Sequence, residues 1–425
     1  MNSVAAEPTN AEAETVGREI VALLDKNAFD DTVKRFNADM AAALPAAQLK
    51  QAWDAVGQQF GAFKEVRSVR IEKKDEYRIA LLLCAFEKAD LLVTVSVDPK
   101  NQVGGLFFRP AGNPSNAGPP WSPPSYAAKV EEQSVVVGDD FKLPATLIVP
   151  AGDGPFPVVI LVHGSGPNDR DETLGANKPF KDLAYGLAAK GIATLRYDKR
   201  TLKYPGQFPS TKPYGLKEEI IDDVKAAVSL VLKTPKLDGK RVVVAGHSLG
   251  GTFGPRIAEE EPRVKALVLL AGATRPMDVL VREQIKVTAP GNAAASAAAE
   301  AFSKKFNDPK LTAAEEVDFL GAKLPGSYVL ELRNEQPATR AAKLKLPIFI
   351  GQGGRDYQVT TTDLDGWKKT LEKKPNVTIK LWPALNHALI EGTGPSTPQE
   401  YAVPGHVAEV VVTDLAAWIN KLPVK

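Results

Sequence analysis

Val242-Val243-Val244-Ala245-Gly246-His247-Ser248-Leu249-Gly250-Gly251 is the stretch that decides the fold. A run of β-branched residues stops at a glycine. A serine follows two residues later, and two more glycines lead into a helix-compatible segment. The pattern is strand, tight turn, helix, with the serine pushed out at the apex. Gly246 and Gly250 fit because the turn brings strand and helix too close for a Cβ. Ser248 is expected in a strained backbone conformation that aims its Oγ at substrate. Gly-x-Ser-x-Gly alone is a weak signal, but its place between an apolar run and a helix makes it a nucleophile motif.

A serine hydroxyl is a poor nucleophile until a base takes its proton. The chain has four histidines. His247 lies inside the turn, His163 ends an apolar run over residues 158–162, and His406 heads the final helix. His387, in Leu385-Asn386-His387-Ala388, follows the last strand, where a loop can cross the sheet's C-terminal edge; it is the expected base. A base of this kind needs a carboxylate to fix its tautomer. Asp356, in Gly351-Gln352-Gly353-Gly354-Arg355-Asp356, is the expected acid; Asp363, Asp365 and Asp278 are its rivals. The chain order Ser, Asp, His is the order this nucleophile-elbow architecture uses. The developing oxyanion needs donors. The backbone N–H groups of Leu249 and of Ser165, in His163-Gly164-Ser165-Gly166-Pro167, are the candidates. Gly164 and His247 are expected to line the substrate. Nothing in this chemistry calls for a metal or another cofactor.

Outward from the site, 425 residues fit two domains. With 44% hydrophobic and 24% charged residues the chain reads as soluble and globular. Its net charge of +2 gives no reason to expect nucleic acid as a partner. No apolar run has the length of a membrane-spanning helix. Cys84 is the single cysteine, set in an alternating apolar stretch, and reads as a buried core thiol. Residues 1–14 are polar, without the basic and apolar regions of a signal peptide. They fit a cytoplasmic start or the mature start of a secreted or periplasmic chain equally well.

Residues 1–109 predict a small α+β domain, helices first and then a curved antiparallel sheet. Thr9 or Asn10 caps a first helix, a second runs from about Asp30 with Val33, Phe36, Met40 and Leu44, and Pro45 opens a third. From Phe63 the hydrophobic period becomes two, giving a four-strand meander. This stretch resembles the cystatin-like and nuclear-transport-factor-like domains found ahead of hydrolase domains in some bacterial esterases. It holds no histidine, which leaves docking, homodimer formation or a ligand pocket as its uses. Residues 110–129 are Pro-rich and read as a stiff linker. From residue 130 onward strands and helices alternate, predicting an α/β fold with a doubly wound, mostly parallel sheet. Residues 274–346 are too long for a plain connection and read as a helical cap, with helices near residues 278–287, 293–306 and 312–320. Residues 392–404 follow His387 and are expected to form another rim.

With these motifs in view, residues 130–425 resemble an α/β-hydrolase. Within that superfamily they are similar to bacterial serine carboxylesterases. The resemblance rests on His163-Gly164-Ser165-Gly166-Pro167 followed by Asn168-Asp169-Arg170-Asp171-Glu172, on Arg196-Tyr197-Asp198-Lys199-Arg200, on the elbow, and on Gly353-Gly354-Arg355-Asp356-Tyr357-Gln358-Val359. It implies hydrolysis of short-chain acyl esters with Ser248, Asp356 and His387 as triad. Thr201 departs from the glycine often found there. The Asp198-Lys199-Arg200 cluster reads either as a grip on a substrate carboxylate or as an ion-pair network, with Asp169, Arg170 and Asp171, that braces the oxyanion loop. The second reading is the simpler. A thioesterase or a serine peptidase would use the same triad, and a non-catalytic binding protein would use the same scaffold.

Overall fold

The computed structural model describes residues 8–74, 77–88, 90–110 and 121–423. The chain divides into two compact units, one ending at residue 117 and one starting at residue 118.

In the first unit α1 (Asn10–Asp25) begins with a capping box. Thr9 Oγ1 accepts from Glu12 N at 3.2 Å, and Glu12 accepts from Thr9 N at 2.7 Å. Where one helix was expected there are two, α2 (Phe29–Lys34) and α3 (Ala38–Ala43). The Asn37 side chain accepts from Met40 N at 2.9 Å and so starts a new helix inside the apolar pattern. α4 (Ala46–Phe60) starts behind Pro45. β1 (Phe63–Lys74), β2 (Tyr77–Phe86), β3 (Asp90–Val97) and β4 (Val103–Pro110) form an antiparallel sheet in that order. Alternate residues of β2 and β3, among them Leu82, Cys84, Val93 and Val95, face the helices and are buried with Ile20, Leu24 and Leu49. Burial pushes the Cys84 thiol up to about 12, so it is an inert core residue.

The second unit opens on a segment expected to belong to the linker. Residues 111–120 of that stretch lie outside the described residues, but Trp121 and Tyr126 pack on this unit. Trp121 donates to Asp182 at 2.8 Å, and Tyr126 donates to the carbonyl of Val407. The elements that follow are β5 (Glu132–Val137), β6 (Leu143–Ile148), β7 (Phe156–Val162), α5 (Pro179–Ala188), β8 (Ala193–Tyr197), α6 (Arg200–Lys203) and α7 (Asp222–Lys233). Then come β9 (Leu237–His247), α8 (Leu249–Glu260), β10 (Ala266–Leu270), α9 (Met277–Thr288) and α10 (Ala293–Phe306). β11 (Glu316–Phe319), β12 (Ala322–Pro325), α11 (Gly326–Asn334), α12 (Pro337–Ala341), β13 (Ile348–Gly353), α13 (Thr361–Leu371), β14 (Val377–Trp382) and α14 (Glu409–Ile419) complete the chain.

Eight strands make one sheet in the order β14-β13-β10-β9-β7-β8-β6-β5. At one edge β6 runs antiparallel to both of its neighbours, β5 and β8, and the other neighbours are parallel. β7, β10 and the second half of β9 are continuous apolar runs because both faces are covered. Val158, Ile160, Val242 and Val244 enter one core with α7 and α8, while Val159, Leu161, Val243 and Ala245 enter the other with α5 and α14. The chain winds one way from β7 to β8 and the other way from β9 to β10. The strand order therefore reverses between β7 and β9, the position where open α/β sheets leave a crevice at their C-terminal ends.

One cap expectation fails. Residues 312–320 do not form a helix; β11 and β12 make a hairpin instead. Leu320 and Gly321, between the strands, have φ of 50° and 90°, the left-handed pair that a tight two-residue turn requires. Among the described residues no helix is long and apolar enough to cross a membrane.

Candidate active site

The crevice between β7 and β9 holds the motif residues. Ser248 stands between β9 and α8 with φ 54° and ψ −117°. Two glycines make that turn sterically allowed. A Cβ on Gly246 would lie 2.1 Å from the Gly250 carbonyl oxygen, and one on Gly250 would lie 2.4 Å from that of Val162. Leu249 is the first residue of α8, so its N–H has no partner within the helix.

Asp356 and His387 come from different elements and meet. Asp356 follows β13, His387 follows β14, and the ring Nδ1 donates to Asp356 Oδ2 at 2.7 Å. Both residues are buried. The other lone pairs of the carboxylate are also taken. Gln358 N and Val359 N donate to Oδ1 at 2.8 and 2.9 Å, and Gln352 Nε2 donates to Oδ2 at 3.0 Å. Four donors therefore surround the carboxylate and fix the imidazole orientation through it. Among the described residues neither Ser248 Oγ nor His387 Nε2 has a hydrogen-bond partner; a contact of this kind tightens once substrate is bound. The rival carboxylates are engaged elsewhere. Asp363 pairs with Arg275, Asp278 accepts from Ser303 and Asn307, and Asp365 faces Lys368 on the surface.

The remaining histidines have other uses. His163 packs against Phe180 and Tyr197, and burial lowers its pKa to about 4, which keeps it neutral. His406 bonds Asp182 at 3.0 Å. His247 was expected to line the substrate, and here the structure corrects the expectation. Its ring is buried, with Nδ1 3.0 Å from Glu172 Oε2 and Nε2 2.8 Å from the carbonyl oxygen of His387. Both neighbours are acceptors, an environment that favours the charged, doubly protonated ring. Burial opposes that charge, but the Glu172 carboxylate outweighs it and raises His247. Burial would likewise raise Glu172, yet the His247 charge and the Gly164 N–H hold it below its ordinary value. Gly164 lies beside the nucleophile, with its N–H engaged. Its N–H donates to Glu172 Oε1 at 2.6 Å and is not free for substrate. Its missing side chain matters more, because a Cβ there would come within 3.0 Å of Ser248 Cβ.

Glu172 is a residue of this cluster whose partners sequence reasoning missed. Its own φ of 50° was a strained placement that nothing in the sequence marks. The neighbouring charges follow the simpler expectation in part. Arg170 pairs with Asp198, Arg196 with Asp171, and Arg200 with Asp223. Lys199 instead turns inward under the loop. Its Nζ donates to the carbonyls of Gly164 and Gly166 at 2.9 and 3.1 Å. Among the described residues no group of three or more His, Cys, Asp or Glu side chains is placed to hold a metal ion.

A serine on a strained elbow, beside a carboxylate–imidazole pair at the switch point of a doubly wound sheet, defines the α/β class of hydrolases. The sequence comparisons agree. Residues 159–403 match the alpha/beta hydrolase family, and residues 17–106 match a family described as a protein of unknown function, DUF3887. The chain belongs to the alpha/beta hydrolase family and is a hydrolase. It is 36% identical over 394 residues to esterase EstD of Thermotoga maritima, covering 92% of both chains. It is 27% identical over 156 residues to 2,6-dihydropseudooxynicotine hydrolase of Paenarthrobacter nicotinovorans, 37% of each chain. Among solved structures, Est1E from Butyrivibrio proteoclasticus superposes with a TM-score of 0.47 at 20% identity, over 69% of this chain and 99% of its own.

Proposed function

We propose that the protein is a serine carboxylesterase acting on short-chain acyl esters, with Ser248 as nucleophile, His387 as base and Asp356 as the acid that orients it. The 2.7 Å bond between His387 and Asp356, on loops that follow neighbouring strands β14 and β13, carries the reading. The likeness to an esterase over nearly the whole chain supports it. In this reading Ser248 Oγ attacks the ester carbonyl while His387 Nε2 takes its proton. The N–H groups of Leu249 and Ser165 hold the oxyanion, and His387 returns the proton to the departing alcohol. Water, deprotonated by the same nitrogen, then releases the acid from Ser248. Residues 274–346 form the cap that shapes the acyl and alcohol pockets, and residues 1–109 are an accessory domain.

Hydrolysis of p-nitrophenyl esters from acetate to palmitate, by wild type and Ser248→Ala, tests this. Turnover confined to the short esters and lost in Ser248→Ala is the expected result. Turnover that survives the substitution would remove Ser248 from the mechanism. Inertness toward all esters, with cleavage of an acyl thioester or peptide anilide, would change the leaving group.

A further inference from the structure

Lys199 is an unusual group to find behind an oxyanion loop. It is 2% exposed, and its ammonium has three acceptors for three N–H donors. They are the carbonyls of Gly164 (2.9 Å) and Gly166 (3.1 Å) and Glu219 Oε1 (3.3 Å). Glu219 sits on a π-helical turn, Lys217–Ile221, ahead of α7, a distortion that often marks a functional position. Its other oxygen accepts from the Tyr328 hydroxyl of α11 at 2.7 Å, so a residue of the cap segment fixes the carboxylate that fixes the lysine.

The carbonyl of Gly164 and the N–H of Ser165 belong to one peptide plane and point in opposite directions. The plane is gripped from one side only. Lys199 Nζ and Asn168 Nδ2, the latter at 3.2 Å, both donate to the Gly164 oxygen. Glu172 holds the preceding N–H, that of Gly164. Among the described residues the Ser165 N–H has no partner, and it faces away from the ammonium. A cation bound to a peptide oxygen also draws charge from the peptide and strengthens its N–H as a donor.

We propose that Lys199, held by Glu219, is a positioning residue for the hydrolytic reaction, orienting and polarising the peptide whose Ser165 N–H donates to the oxyanion. This rests on the serine-esterase reading above. Lys199 touches no substrate in this arrangement. Its effect is confined to the tetrahedral species, where the oxyanion exists, and is absent from ground-state binding.

The test uses Lys199→Met and, because Lys199→Met alone leaves Glu219 buried without its cation, the charge-neutral double variant Lys199→Met/Glu219→Gln. Each is assayed in the full chain with p-nitrophenyl butyrate, and with a trifluoromethyl ketone that forms a tetrahedral adduct on serine. Removing an oxyanion donor outright costs about 10²–10³ in kcat, so loss of its support is expected to cost about 10–100-fold. KM should stay within about twofold, and the Ki of the ketone should rise by the same factor as kcat falls. Merely structural damage would lower the melting temperature without tying Ki to kcat. A folded variant with kcat within about twofold of wild type, or with kcat lowered and Ki unchanged, overturns the proposal. Absence of Ser248-dependent turnover in wild type would instead overturn the esterase reading.

Discussion

Two buried carboxylate–imidazole pairs lie side by side in this enzyme, and they do opposite things. Asp356 and His387 are 2.7 Å apart, Glu172 and His247 are 3.0 Å apart, and the two rings are 4.7 Å from centroid to centroid. In each pair the carboxylate sits at Nδ1. What differs is the far nitrogen. His387 Nε2 has no partner among the described residues, whereas His247 Nε2 faces the carbonyl of His387 itself. A ring with one open nitrogen can accept a proton and give it back. A ring with an acceptor facing each nitrogen is biased toward the protonated form and has no open nitrogen for substrate. The second pair therefore serves the first. It ties the base loop, through the His387 carbonyl, to the oxyanion loop, through Gly164 N–H and Glu172.

The contrast is broken most severely at the nucleophile. Ser248→Ala is expected to reduce kcat by about 10⁴-fold or more with little change in melting temperature, read in an ester assay and a thermal melt. Asp356→Asn comes next, because an amide there favours the wrong imidazole tautomer. It should cost about 10²–10⁴ in kcat while the protein stays folded. Glu172→Gln should show the opposite balance. It removes the carboxylate that faces His247 in a buried site, and breaking such a pair should cost about 3–5 kcal/mol of stability in denaturant unfolding. Its kcat should fall less than that of Asp356→Asn.

The smallest effect is in pH. His247 has its folded pKa raised, so its contribution is complete below its unfolded value of about 6.5 and is lost as pH rises through the raised value. Glu172 has its folded pKa lowered, so its share is present above its unfolded value and is lost as pH falls through the lowered one. His163 works in the other sense to His247. With a folded pKa of about 4 it takes up its proton more readily when unfolded, so stability drops as pH falls from about 6.5 toward 4. The loss from this one residue is about 2 kcal/mol by pH 5. His163→Phe, which keeps an aromatic ring between Phe180 and Tyr197, should therefore lose less stability than wild type between pH 7 and pH 5. An equal loss in both would place the acid sensitivity elsewhere.

Much of this was legible in the sequence, for reasons that are local. The sheet and the elbow announce themselves because apolar runs, glycines and a serine are contiguous, and contiguity is what sequence shows best. That Asp356 and His387 meet could be anticipated because each follows a recognisable strand near the C-terminus. Glu172 and Lys199 were quoted within their motifs, yet their partners were not visible. Two of the acceptors for Lys199 are backbone oxygens more than thirty positions earlier in the chain, and backbone oxygens carry no sequence signal. The break at Asn37 and the hairpin at Leu320-Gly321 were missed for a related reason. A single capping or left-handed residue overrides an apolar period that still reads as helical.

The most direct measurement of the central claim is covalent labelling. A fluorophosphonate is attacked only by a serine whose base and oxyanion donors are in place, so peptide mapping after labelling reports the assembled site rather than the motif. One adduct is expected, on Ser248, absent from Ser248→Ala and formed slowly in Asp356→Asn. A folded protein that takes no label, or takes it on another residue, would contradict it.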